Sequence, residues 1–391
     1  MKIGFFTDSY FPYTSGVVHS IDTFNQELVA LGHEVFIFAP SYSNIQDEQK
    51  NVFRFSSLPA PTNRDFALAF PFSVHLGNIL EKWQPEIIHA HSPFILGHVG
   101  SSCARRLQIP LVFTFHTLYD EYVHYFPIAQ KITKNIVRSI SRNFCNQSNV
   151  VIVPTEVVRE HLLQMGVSTR IKKIPTGIKL SEFSNPDRFW LKEHYGIPDA
   201  SKVLLFAGRL GQEKNIYFLL ECFEKVYAEF PGTFLVLVGS GPEEDELKNW
   251  TTARGISNNV IFTGKKDKSE MARHYAGSDL FVFTSLTETQ GLVIAEAKAA
   301  GIPSVAVKAN GVCEMVNNGE DGYLTDLDQN SFIEKVVLLL KDNELRKKFS
   351  EKAKENVKKI SSRRCALDLI NSYQEVLQAG GVKKYMVNGE K

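Results

Sequence analysis

The chain has 391 residues, 43% of them hydrophobic and 22% charged, with a formal net charge of +1. That length is too great for one ordinary core and suits two domains. Near-neutral bulk charge names no partner, and any anionic surface must be met by a local patch; nucleic acid is not expected as a partner. Five cysteines, Cys103, Cys145, Cys222, Cys313 and Cys365, are scattered and form no C-x-x-C pair. Such spacing argues against a disulfide framework or a zinc site and fits a reducing cytosol.

The first apolar run, Ile3 to Phe6, reads as a strand. Thr7-Asp8-Ser9 ends it too early for the core of a signal peptide. A loop with Pro12 and Gly16 follows, then a helical pattern from Val17 to Leu31 and a strand from Val35 to Ala39. Ile87 to Ala90, Leu111 to Phe115 and Val150 to Val153 are further short apolar strands. The pattern then restarts with Val203 to Gly208, Phe234 to Gly239, Val260 to Phe262, Leu280 to Phe283 and Ser304 to Val307. Helical segments fill the gaps: Asn215 to Glu229, Glu243 to Arg254, Ser269 to Ala276 and Leu292 to Ala300. Short apolar strands alternating with helices predict two α/β, doubly wound, Rossmann-like domains, each with a parallel sheet covered on both faces.

The seam is expected between Thr176 and Phe189, where Ile178 to Pro186 is polar and irregular. The expected domains are 1–178 and 186–364, with a C-terminal helix and tail over 365–391. The stretch Asn343 to Leu377 reads as helical and charged, and Val382 to Lys391 as a frayed end. No stretch approaches the roughly 20 apolar residues of a membrane-spanning helix.

Ligands of open parallel sheets bind beyond the carboxyl ends of the strands. After the first strand of the second half comes Gly208-Arg209-Leu210-Gly211-Gln212-Glu213-Lys214-Asn215. Two cations beside a glycine turn suit a pyrophosphate, although a solvated basic loop has the same composition. After the fourth strand, Glu288 lies in a loop and Glu296 in the following helix, about two turns on. Gly291 stands near the start of that helix, where free N–H groups attract anions. A loop carboxylate suits sugar hydroxyls, and a helix carboxylate suits a ribose diol. Glu296 has only Val293, Ile294, Ala295 and Ala297 around it, a costly setting for a glutamate without a task.

Taken together, Gly208-Arg209, Glu213-Lys214-Asn215 and Glu288-x7-Glu296 with Gly291 between them resemble family 4 of the retaining glycosyltransferases. The resemblance covers nearly the whole chain. It implies the GT-B architecture: two Rossmann-like domains facing a central cleft, with a C-terminal helix that can cross back to the first. It also implies roles. Arg209 and Lys214 would neutralise the donor diphosphate, Glu288 would contact donor-sugar hydroxyls, and Glu296 would hold the ribose. Backbone N–H groups of Thr289, Gln290, Gly291 and Leu292 would line sugar and phosphate. Gly264-Lys265 would flank the base. Gly16 matches a first-domain glycine loop that contacts phosphate, although Ser15-Gly16 offers one glycine where the family often has two.

His116-Thr117, at the end of the strand Leu111 to Phe115, matches a family dyad whose histidine contacts the donor sugar. The residues expected to carry chemistry are therefore His116, Arg209, Lys214 and Glu288. His89 and His91 also end a strand, but no third ligand has matching spacing, so packing or cleft-lining is their reading. The resemblance implies a front-face reaction, and no protein nucleophile is assigned. The sequence shows no convincing metal-ligand cluster, so neither a metal nor a cofactor beyond the nucleotide-sugar donor is expected. Asp326-Leu327-Asp328 is a D-x-D string placed before a helical run, where capping is the natural role.

The acceptor side is marked by His116 to Phe126, an aromatic segment with Tyr119, Tyr122, His124 and Tyr125. With Thr287 to Val293 it resembles the diacylglycerol glucosyltransferases of bacterial glycolipid synthesis. Next, Lys131, Lys134, Arg138 and Arg142 fall within one wedge of a helix, opposite Ile128, Ile132, Ile136, Ile140 and Phe144. A basic face near aromatics suits an anionic bilayer, and an ordinary surface helix packed by its isoleucines shows the same pattern. The loop Leu58 to Phe72 would either admit a lipid or be a buried connection.

The expectation is transfer of glucose from UDP-glucose to a membrane lipid such as diacylglycerol, by a cytoplasmic protein on the inner face of the membrane. The alternatives are a soluble sugar, hydroxy acid or polysaccharide acceptor, and a two-lobed sugar-binding protein without catalysis. A dinucleotide oxidoreductase is disfavoured because no G-x-G-x-x-G follows the first strand. Nothing in the sequence specifies an oligomeric state.

Overall fold

The computed structural model describes residues 1–42, 51–60, 63–121, 130–184 and 186–380; the side chains of 63, 64, 130 and 131 lie outside that description. The chain forms two compact units, Met1–Gly177 with Ser362–Lys391, and Ile178–Ser361. The first unit contains strands β1 (Lys2–Phe6), β2 (Glu34–Pro40), β3 (Val52–Phe55), β4 (Ser57–Ala60), β5 (Asn63–Ala69), β6 (Ile87–Ala90), β7 (Leu111–Thr114), β8 (Val150–Val153) and β9 (Ile171–Lys173). Seven of these make one sheet in the order β3-β2-β1-β6-β7-β8-β9. The second unit contains β10 (Lys202–Ala207), β11 (Thr233–Val238), β12 (Val260–Phe262), β13 (Leu280–Phe283), β14 (Ser304–Val307) and β15 (Gly322–Thr325), ordered β12-β11-β10-β13-β14-β15.

Every pair in both large sheets is parallel. Their central strands are buried and mostly apolar because helices cover both faces. Val203 to Ala207 and Leu280 to Phe283 are all buried, as are Ile87 to Ala90 and Leu111 to Thr114. In each sheet the order reverses at one place, beside β1 and β6 in the first and beside β10 and β13 in the second. The register there sets Phe5 against His89 and Leu205 against Phe281. Such switch points are where ligands of this architecture bind.

The structure departs from the sequence expectations at the margins. The stretch Leu58 to Phe72 is mostly an antiparallel hairpin, with Ser57 opposite Ala69 and Leu58 opposite Leu68. Its inward positions Ala67 and Ala69 are buried but small, which hides the alternation that marks a strand. The strands β9 and β15 also escaped prediction. Both are sheet edges, where Ile171-Lys172-Lys173 and a glycine-led run are tolerated.

Ile178 to Pro186 reads as a linker, but Ile178 and Phe183 are buried in the second core and Leu180–Phe183 is a short 3-10 helix. The first crossing between units is therefore one peptide, after Gly177. The helical stretch near the C-terminus is two helices, Asn343–Val357 and Ser362–Gln378, and the chain re-enters the first unit at Ser362. Ser362 Oγ donates to Glu27 at 2.5 Å, and Lys172 and Arg170 pair with Glu375 at 2.7 and 2.8 Å.

Candidate active site

In the second unit the loops that follow β10 and β13 are laced together through backbone. Leu286 N–H donates to the Glu213 carbonyl at 3.2 Å, and Thr284 Oγ1 donates to the Lys214 carbonyl at 2.9 Å. This brings Lys214 onto Glu288, 74 residues away, as an ion pair between Nζ and Oε1. Ser285 Oγ donates to the same carboxylate oxygen at 2.8 Å. Burial alone would raise the Glu288 carboxyl, but the Lys214 charge and these hydrogen bonds outweigh it and hold the group below its usual range. Arg209 stands exposed on the adjoining loop, after Gly208.

The segment Glu288 to Gly291 is held from its far side by a loop that the sequence reading missed. Gly311 N–H donates to the Glu288 carbonyl at 2.9 Å, and Asn310 Nδ2 donates to the Leu286 carbonyl at 2.8 Å. A Cβ at position 311 would lie 2.2 Å from the Thr289 carbonyl oxygen, so only glycine permits this approach. The available signal was Asn310-Gly311 beyond the strand Ser304–Val307. Gly291 has φ of +86° and caps the helix Leu292–Ala300. That helix therefore starts immediately after Thr289 and Gln290, with first-turn N–H groups, including Leu292, that have no intrahelical acceptor.

Glu296 lies in the same helix in a different environment. The hydroxyl of buried Tyr275, another residue the sequence reading passed over, donates to Glu296 Oε2 at 2.7 Å. Burial pushes the Glu296 carboxyl up to about 7, and the Tyr275 bond and Lys268 only partly oppose it. One carboxylate is thus fixed as an anion and the other is poised near neutrality. Gly264 occupies the turn after β12, its carbonyl taking the Gly239 N–H at 3.0 Å, and Lys265 beside it is exposed.

In the first unit the carboxyl ends of β6 and β7 carry three histidines in a row. His91 Nδ1 lies 3.0 Å from His116 Nε2, with the rings stacked at 5.3 Å between centroids. His89 stacks on His91 at 4.2 Å. His89 Nδ1 meets the Tyr373 hydroxyl at 2.6 Å, and its Nε2 meets Thr114 Oγ1 at 2.7 Å. Burial depresses all three, His116 to about 3, so the rings are neutral. Gly16 opens the helix Gly16–Ala30, with Ser15 as its cap, and a Cβ there would meet nothing within 4 Å.

Of the acceptor-side residues, Tyr122, His124, Tyr125 and the Lys131 side chain lie outside the described residues. Tyr119 packs edge-on against Phe94 and Phe115, at 4.9 and 5.6 Å, on the first core. The basic segment is a helix, Gln130–Gln147. Its face is less free than the sequence suggests. Lys134 pairs with Glu121 at 3.3 Å, and Arg138 with buried Asp120 at 3.2 Å, which also takes His161 at 3.0 Å. These acids lie just upstream of residues 122–155, a stretch of the sequence without Asp or Glu. The opposite side is not packed away: Ile132 is 63% and Ile136 53% exposed, whereas Phe144 is buried. Asp328 caps the helix Gln329–Lys341 by accepting from Ser331 N–H at 2.8 Å. Among the described residues no three His, Cys, Asp or Glu side chains form a set that could hold a metal ion, and no helix is long and apolar enough to cross a membrane.

Comparison with known proteins finds family matches over both units of the chain. The model described as Glycosyltransferase Family 4 matches residues 14–182, and that described as Glycosyl transferases group 1 matches residues 187–356. An alpha-monoglucosyldiacylglycerol synthase of Streptococcus pneumoniae is 38% identical over 312 residues, 78% of this chain and 71% of that protein. A second protein of that name, from Acholeplasma laidlawii, is 29% identical over 82% of this chain and 84% of its own length. Among solved structures, HepE of Anabaena in complex with UDP superposes with a TM-score of 0.78 at 20% identity, covering 96% of this chain and all of that one.

Proposed function

The chain belongs to glycosyltransferase family 4, and on that footing we propose that it transfers glucose from UDP-glucose to diacylglycerol at an anionic membrane surface. Members of the family are retaining enzymes of the GT-B fold that use nucleotide-sugar donors without a required cofactor. Those properties hold for this chain. The sugar, the nucleotide, the lipid and the membrane are the proposal.

The bond between the anomeric carbon and the β-phosphate oxygen breaks. The acceptor oxygen bonds to that carbon on the same face, and its proton passes to the departing phosphate oxygen. Charge therefore grows on the diphosphate. Arg209, Lys214 and the start of the Leu292–Ala300 helix are the cations and dipole that answer it. Glu288, kept anionic by Lys214 and Ser285, accepts from sugar hydroxyls, and Glu296 accepts from the ribose. Backbone N–H groups from Thr289 to Leu292 line the sugar and phosphate, and Gly264 and Lys265 flank the base. In the first domain, Gly16 and His116 match the family positions that contact phosphate and donor sugar.

The observation that carries the lipid acceptor is 38% identity to a protein named for glucosylating diacylglycerol. The uncovered Ile132 and Ile136, on a helix that also carries Arg142, support membrane contact of the peripheral kind. The anionic membrane lipids and the cytoplasmic face follow from that reading. UDP as the nucleotide is supported by the UDP complex of a protein of the same fold.

The test supplies the protein with UDP-glucose, UDP-galactose or GDP-mannose, and with diacylglycerol vesicles, malate or a soluble sugar. α-Glucosyldiacylglycerol from UDP-glucose, identified by mass and by the anomeric coupling, is expected. Transfer confined to a soluble acceptor would overturn the lipid reading.

A further inference from the structure

The chemistry proposed for His116 depends on which of its two nitrogens bears the proton. A neutral imidazole has one N–H and one bare nitrogen, so its tautomer decides whether it offers the sugar a donor or an acceptor at a given atom. The structure supplies a device for that choice. His116 Nε2 faces His91 Nδ1 at 3.0 Å, so exactly one of these nitrogens carries the shared proton.

Two arrangements are open. In one, His116 donates, and His91 must then hold its own proton on Nε2. That atom is buried and has no hydrogen-bond partner among the described residues. The rings against His91, Phe5 edge-on at 4.6 Å and His89 stacked at 4.2 Å, bring no oxygen to it. A buried N–H without an acceptor bears its full desolvation cost. In the other arrangement His91 donates from Nδ1, and the solitary atom is a bare nitrogen with no proton to satisfy.

We infer that His91 is a positioning residue that donates from Nδ1 to His116 Nε2 and thereby keeps the His116 proton on Nδ1. The inference rests on the reading that His116 contacts the donor sugar. His89 completes the arrangement as a wall. Both its nitrogens are held, by Tyr373 and Thr114, so it keeps the plane of the stack without competing for the shared proton. Tyr373 comes from the C-terminal helix, which gives that returning helix a part in ordering the site. Burial keeps all three rings neutral, so the arrangement persists across ordinary pH.

The experiment is nitrogen-15 NMR on the full chain with labelled histidine, signals being assigned with His116→Asn and His91→Asn. Protonated Nδ1 and bare Nε2 on His116 are expected, and protonated Nδ1 on His91. A His116 protonated on Nε2 overturns the inference. Kinetics give the second arm. His91→Phe retains an aromatic ring in the stack but no donor, and should lower kcat roughly tenfold or more with KM for UDP-glucose within about twofold, since a wrong tautomer misdirects a hydrogen bond. His91→Asn, whose amide N–H falls near the position of Nδ1, should recover most of that loss. Wild-type kcat in His91→Phe also overturns the inference. The NMR arm needs no substrate, so a chain that transferred no sugar would refute the functional reading and leave the tautomer result standing on its own.

Discussion

Glu296 should make donor binding depend on pH across neutrality. Its carboxyl is raised from 4.5 to about 7, so ionising it in the empty site costs up to about 3 kcal/mol more than in water, at ~1.4 kcal/mol per pH unit. The sign follows from the direction of the shift. A raised carboxyl contributes stability that is complete below about pH 4.5 and is lost as pH rises through about 7. Between pH 6 and 8 that loss is about 1.4 kcal/mol. A ribose diol donates to the carboxylate, so donor binding favours the ionised form and expels a proton. At pH 6 roughly one site in ten is ionised, and affinity should be about tenfold weaker there than at pH 8. UDP-glucose is the proper probe, because its doubly esterified diphosphate does not titrate here, whereas a terminal phosphate does at about pH 6. Calorimetry at pH 6, 7 and 8 reads the slope. Glu296→Gln should bind more weakly than wild type at pH 8 and show no slope in donor affinity from pH 6 to 8. A flat wild-type profile, or the same slope in Glu296→Gln, would refute the reasoning.

Arg209→Ala and Lys214→Ala should each lower kcat by about two orders of magnitude, as for lost charge-stabilising donors; wild-type turnover in either removes it from the diphosphate clamp. Glu288→Gln should cut turnover yet leave UDP affinity equal or tighter, because it releases Lys214 from its ion pair; a weaker UDP complex by calorimetry would count against that. The three depressed histidines should make the first unit acid-labile. The unfolded chain binds protons near pH 6.5 that the folded rings refuse, so urea midpoints should fall as pH drops below about 6.5; a midpoint unchanged between pH 7 and 5 would contradict it. On the basic helix Gln130–Gln147, reversing Arg138 would set a carboxylate against buried Asp120 and risk the fold, so Lys131→Glu with Arg142→Glu is the cleaner variant. It should release the protein from anionic vesicles at low salt, where basic residues contribute roughly 1 kcal/mol each, and unchanged flotation would reduce the stripe to a solvated face.

The parallel sheets were legible because their central strands are buried on both faces and need an unbroken apolar run, which local sequence displays. Val203 to Ala207 and Leu280 to Phe283 are such runs, and the loops after them held Arg209, Lys214, Glu288 and Gly291 in plain view. Edge strands and the hairpin Ser57–Ala69 were not legible, since one open side permits lysines and small residues.

The side-chain pairs are a different matter. Lys214 and Glu288 can be named from the sequence, but only the lacing of their loops makes one the counter-ion of the other and sets the Glu288 charge. Tyr275 carries no mark of its hold on Glu296, and Asn310-Gly311 looks like any turn until it is found braced against Thr289. The basic helix was read correctly as amphipathic, yet which cations are matched by Asp120 and Glu121, and which isoleucines remain uncovered, depended on neighbours that periodicity does not encode. Sequence by itself determined the family, the two-domain α/β plan and the residue types at the strand ends. Tertiary structure alone decided the protonation states, because a pKa is set by burial and by charges that the chain brings together from distant positions.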